Sequence, residues 1–241
     1  MTTILNEYRK TLSALKSLTA RFLVDFDFDK FGEDQVAEAV NDACMDFALR
    51  TQAVKDEINL LVSENKHIYD IKAFILEANT AASGTRKEFG FIKRVGFSGT
   101  DEPAFMPTSS HEVNFTNASQ FISQGLYVNR FFVDLLSPGK LQIFPPDADG
   151  TALPSESGNL QVLYIGLPDY MDDPGDYPDS MIAPQFHDAI AIGAAAMLLY
   201  EGNETDVKQA DILDQEFTRL CMMAVMNEYD GQTNYQGARP A

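Results

Sequence analysis

Three histidines, two cysteines and two runs of aspartate are the side chains of this 241-residue sequence best suited to bind a metal, move a proton or attack a carbonyl. His67, His111 and His187 stand far apart, and none has a second His, Cys or carboxylate at a zinc-ligand spacing such as HExxH or CxxC. His67 adjoins strand-like Ile68 and Tyr69, and His187 falls in the first turn of an apolar helix, so each reads as structural. Cys44 and Cys221 lie in helical patterns and read as reduced, buried thiols. There is no GxSxG elbow, since Gly96-Phe97-Ser98-Gly99 has the wrong spacing, and no phosphate-binding P-loop or GxGxxG turn. Nucleotide chemistry therefore has no support, and Cys44 has no histidine near it in sequence, which weighs little because triads assemble in space.

Two acidic clusters remain. Asp147-Ala148-Asp149-Gly150 starts like a calcium loop, but its Gly comes fourth rather than sixth and the run lies between strands. Asp169, Asp172, Asp173, Asp176 and Asp179 offer more oxygens within a Pro-rich stretch. A weak cation site is one reading. The plainer and preferred one is an acidic surface in which aspartates bond their own backbone amides. The expectation is thus no catalytic residue, no cofactor and no metal ligand. The Asn-x-Ser/Thr triplets at Asn114, Asn117 and Asn203 matter only on export, and no h-region follows Met1.

The most informative segment is rich in small residues. Ala189, Ala191, Gly193, Ala194, Ala195 and Ala196 let another backbone approach closely. A helix-interior glycine costs about 1 kcal/mol relative to alanine, so close packing must offset it. Ala189, Gly193, Ala194 and Ala196 are the candidate packing positions, against a hairpin mate or a neighbouring subunit.

These residues need elements to hold them. Four segments carry helical periodicity: Thr3 to Phe26 with Thr2 or Thr3 as cap, Glu33 to Arg50, Ala183 to Glu201, and Thr205 to Tyr229. The third is apolar nearly all round, as in a helix buried on every side. Gly202 suits a left-handed helix end and Asn203 the next cap, which makes the last two an antiparallel hairpin. Between the helical ends, Ile58–Val62, His67–Ile75, Phe89–Phe97, Leu126–Val133, Leu141–Phe144 and Leu160–Ile165 read as strands separated by turn residues. The fold class is α+β: terminal helices packed as a bundle around a C-terminal helical hairpin, with an inserted antiparallel β subdomain. The expected limits are 1–55 for N-terminal helices, 56–168 for the β-rich part, 169–184 for an Asp/Pro-rich arm, 185–230 for the hairpin and 231–241 for a mobile tail.

Charge excludes several classes. Lys and Arg number 18 against 36 Asp and Glu, a net of −18. Up to Arg130 the balance is −4; from Phe131 onward it is −14. That argues against gripping a nucleic-acid backbone or an anionic leaflet. The longest apolar run, Ala189 to Tyr200, is about 12 residues and too short to span a bilayer.

The order of segments resembles a family. Leu141-Gln-Ile-Phe-Pro-Pro, then Leu160-Gln-Val-Leu-Tyr-Ile, then the Asp/Pro-rich arm, precede Ile182-Ala-Pro-Gln-Phe-His-Asp-Ala-Ile-Ala-Ile-Gly-Ala-Ala-Ala-Met-Leu-Leu. Gly202-Asn203 and an amphipathic helix close the series, and Val36-Ala-Glu-Ala-Val-Asn-Asp-Ala and Phe91-Ile-Lys-Arg-Val-Gly fit earlier in it. From about Glu33 to Tyr229 this is similar to the head–tail adaptor (connector) proteins of tailed bacteriophages, mixed α/β type of short-tailed phages. The resemblance implies a structural protein of the virion neck, made in the host cytoplasm. It implies a ring of usually twelve copies docked under the portal protein, joined to a tail, nozzle or tube protein, and passing genomic DNA without binding it specifically. A neck or tail-tube ring of the same virion is the alternative. A divalent-metal-dependent hydrolase using the Asp169–Asp179 carboxylates is the enzymatic one.

Overall fold

Thr11 opens the first described helix of the computed structural model, which describes residues 9–61, 68–80, 86–97, 106–107, 130–133, 139–144 and 159–236. Its hydroxyl accepts from the Ala14 amide (3.2 Å) and starts α1, Leu12–Leu23. The expected start at Thr3 is corrected: residues 9 to 11 are not helical, and Thr2 and Thr3 lie outside the described residues. α1 ends on Val24, whose φ of 56° is left-handed. For a β-branched residue that conformation costs about 1–2 kcal/mol. α2, Glu33–Thr51, puts Glu33 and Asp34 in its first turn, where the helix dipole favours negative charge.

The chain divides into two units, Met1–Val54 with Leu167–Ala241, and Lys55–Gly166. In the first, a 3₁₀ turn at Pro184–Phe186 leads into α4, His187–Tyr200, and α5, Glu204–Gln236, returns antiparallel to it. α4 is the centre of this bundle, packed by α1, α2 and α5, and every residue from Ala189 to Ala196 is buried. Phe47 of α2 joins the layers, its ring 6.0 Å from that of Phe186 and 6.3 Å from that of Phe217 on α5. Burying such a ring contributes about 1.5–3 kcal/mol.

The α4–α5 junction follows the expected hairpin with one correction. Asn203 caps α5, its Oδ1 accepting from Thr205 and Asp206 amides, while Asp206 Oδ2 accepts from the Asn203 amide (3.1 Å). Gly202 is not left-handed; it is small because a Cβ there would collide with the Asp206 side chain. α5 also runs on to Gln236, so residues 231–236 are helical rather than a loose tail. Extending an existing helix adds one backbone bond per residue, and that outweighs a single Gly231.

Among its described residues, the second unit holds two sheets. β1 (Lys55–Leu61), β7 (Asn159–Gly166) and β3 (Phe89–Phe97) form one, with β7 central and both pairings antiparallel. β2 (Ile68–Asp70), β6 (Lys140–Phe144), β5 (Arg130–Val133) and β4 (Met106–Pro107) form the other; its short β4–β5 pair is parallel. Val95, Val162 and Tyr164 pack in one core with Ile71 and Ile75. The expected strand over His67–Ile75 stops at Asp70. Asp70 caps α3, Ile71–Thr80, by accepting from the Ala73 amide (3.0 Å), and Ile71, Phe74 and Ile75 have helical spacing.

Candidate functional site

The Asp/Pro-rich arm is tied to the bundle by its backbone. The Leu12 amide donates to the Asp176 carbonyl (2.7 Å) and the Ser13 amide to that of Pro174 (3.1 Å), so the open first turn of α1 is satisfied by the arm. Asn41, on the buried face of α2, donates to the Met171 carbonyl (3.2 Å) and accepts from the Met171 amide (2.9 Å). Arg9 stacks over Tyr177, 4.7 Å from the ring centre.

The five aspartates do not form one surface. Asp169, Asp172 and Asp173 are exposed, whereas Asp176 is half-buried and turns inward to accept the Asp172 and Asp173 amides at 2.9 Å each. Asp179 departs from the expectation of an acidic surface, being only 5% exposed, with Oδ1 accepting the Met181 amide (3.0 Å). Cap and turn bonding, which sequence spacing cannot separate from exposure, draws these two in. No group of three or more His, Cys, Asp or Glu able to hold a metal ion occurs among the described residues.

The remaining reactive groups are shut away. Burial, followed by the charge of Asp179, pushes the Cys44 thiol up to about 12. Burial does the same for Cys221, also to about 12, despite nearby Arg50. Neither is a nucleophile at neutral pH. His187 is fully buried, which holds its pKa below the ordinary value, and its Nδ1 accepts from the Lys10 amide (3.1 Å). His67, His111, Asp147, Asp149, Asn114 and Asn117 lie outside the described residues.

Ala189, Gly193, Ala194 and Ala196 are all buried within the chain, and the partner at Gly193 is the ring of Phe217. The hairpin mate, rather than another subunit, takes up the room the glycine leaves.

Two surface features were not singled out by sequence reasoning. One is the loop between α1 and α2. Asp25 is buried there, and its carboxylate accepts amides of Asp29 (3.0 Å), Lys30 (3.2 Å) and Phe31 (3.0 Å). Lys30 bonds Asp206 (2.9 Å), and Gln209 donates to the Phe22 carbonyl (3.1 Å), fixing the loop to the start of α5. The loop so held presents Val24, 74% exposed, and Phe26, 65% exposed. The other is a recess of about 300 Å³ lined by Phe47, Met181, Ala183, Phe186 and Ala224, with Thr51 and Asn227 among its polar lining residues. The alternation Asp25-Phe26-Asp27-Phe28-Asp29 was the available signal for the loop; the recess had none, because three separate segments build it.

Compared with known proteins, the chain matches no family model and no curated protein. No helix among the described residues is long and apolar enough to cross a membrane.

Proposed function

We propose that this chain is a head-to-tail adaptor of a tailed bacteriophage: a non-enzymatic ring protein of the virion neck, docked under the portal and forming part of the DNA exit channel. The observation that carries the reading is the order of elements. From α2 onward, a helix, an inserted sheet unit, an Asp/Pro arm, a buried small-residue helix and a long final helix follow the order on which the resemblance rests. Charge supports it as well. The helical unit carries 23 acids against 9 bases, and the sheet unit 13 against 9. A wall with a large excess of like charge lets a polyphosphate slide without holding it, because few cations are free to displace its counterions. Cys44 and Cys221 are buried and proton-bound and His187 is buried, so none of these three is poised for nucleophilic or acid–base chemistry.

The test is native mass by light scattering, with negative-stain images of the same sample, alone and with the portal of the same virion. A ring of about twelve copies with a central hole, formed alone or on the portal, is the expected result. A closed two-fold dimer, or a chain that ignores the portal, overturns the reading.

A further inference from the structure

We propose that His187 is a pH-sensitive latch: its neutral imidazole holds the backbone of Arg9–Thr11 against the start of α4, and a proton on the ring releases that strap while the bundle stays folded.

The Lys10 amide donates to Nδ1 of His187 at 3.1 Å, across 177 positions of sequence. A backbone N–H is only ever a donor, so the ring nitrogen that meets it carries no proton. A protonated imidazole has two N–H donors and no acceptor, so no rotation of the ring restores the bond. The ring is fully buried, and Nε2 makes no hydrogen bond of normal geometry among the described residues. The closed state therefore has a place for the neutral ring and a poor one for the cation.

Charged groups reach the ring from two sides. Burial above all, and then Arg9 of the strap, opposes a proton on it, while the Ile182 carbonyl and the Asp188 carboxylate favour one. The other charges on the elements around α4 are engaged elsewhere. On the arm, Asp176 accepts the Asp172 and Asp173 amides and Asp179 that of Met181. Lys16 of α1 pairs with Glu33, Arg50 with Asp46 on α2, and Arg219 with Glu216 on α5.

The opening is local because the strap is weakly held apart from this bond. Arg9, Lys10 and Thr11 are half-buried and not helical. The Lys10 ammonium lies 3.3 Å from the Asp188 carboxylate and Arg9 stacks over Tyr177, both at the surface, where such contacts stabilise little. From Leu12 onward the chain is anchored: the Leu12 and Ser13 amides bond the arm, and Leu12 and Leu15 enter the core. A segment with few buried contacts opens without the rest. In the open strap the ring regains its ordinary value of 6.5. Linkage then favours opening by up to about thirtyfold between pH 7.5 and pH 5. The latch does not depend on the adaptor reading, which ring formation tests separately.

The experiment is NMR of the full chain from pH 7.5 to pH 5, following the His187 ring signals and the exchange of the Lys10, Leu12 and Gly193 amides, each relative to its intrinsic rate. Lys10 protection is expected to fall about five- to thirtyfold with the titration of the ring, while Leu12 and Gly193 change less than about twofold. His187→Asn offers an acceptor that does not titrate, and is expected to keep Lys10 protection constant over the same range. Asp188→Asn removes an exposed charge that favours the cation, and is expected to move the wild-type midpoint to lower pH; it decides the matter even where His187→Asn does not fold. Lys10 unprotected at pH 7.5, protection that does not change with pH, or a fall shared by Gly193 overturns the proposal. So does the same fall in a folded His187→Asn, or a midpoint that Asp188→Asn leaves in place.

Discussion

Gly193 of α4 faces the ring of Phe217 on α5 so closely that a Cβ on the glycine would stand 3.0 Å from both Cδ2 and Cε2. The glycine is therefore a packing device internal to the hairpin. Gly193→Leu is expected to cost 3 kcal/mol or more, at the upper end of overpacking effects, read as a fall in the urea midpoint. Gly193→Ala should change stability by less than about 1 kcal/mol, because helix propensity offsets the ring's displacement. In a Phe217→Leu background the alanine should become more favourable than in wild type, and a double-mutant cycle measures that difference. Strict additivity would show that the ring does not set the glycine's environment.

Asn41 holds the arm through both atoms of its amide, and its partner backbone groups on Met171 are buried. Asn41→Ala strands an amide and a carbonyl away from water and is expected to cost about 2 kcal/mol in urea unfolding. Amide hydrogen exchange at Met171 should rise with it. Loss of stability without faster exchange there would place the role of Asn41 elsewhere.

His187 gives the helical unit a pH dependence of known sign. Burial lowers its folded-state value below the ordinary 6.5, and the neutral ring accepts the Lys10 amide. Between the folded and unfolded values the unfolded chain binds the extra proton. Stability present above about pH 6.5 is therefore lost as pH falls toward the folded value, by up to about 1.4 kcal/mol per pH unit. Subtracting the pH profile of His187→Asn from that of wild type isolates this contribution from the carboxylates. A flat difference between pH 6.5 and 5 would mean that His187 is not held neutral.

Cys44 and Cys221 should be silent toward a thiol reagent in the native chain at pH 8, since both are buried and protonated, with values near 12. Both should react at once in denaturant. Modification of either in the native state on the time scale of mixing would contradict their burial.

What the sequence by itself determined is what depends on near neighbours. The 3.6-residue periodicity marks α2, α4 and α5, Asn203 caps α5, and the change of period in the middle places β3, β6 and β7, so the α+β class was legible. It erred where local signals compete. Ile68 to Ile75 reads as a strand until Asp70 caps a helix, and Gly202 looks left-handed when it is only small. Only tertiary structure decided which carboxylates face water, what covers Gly193 and what builds the recess. Asn41 and Met171 lie 130 positions apart, and Asp179, exposed by composition, is buried where the arm packs. Burial and close packing arise between segments distant in sequence, and no spacing within one segment encodes which distant segment will arrive.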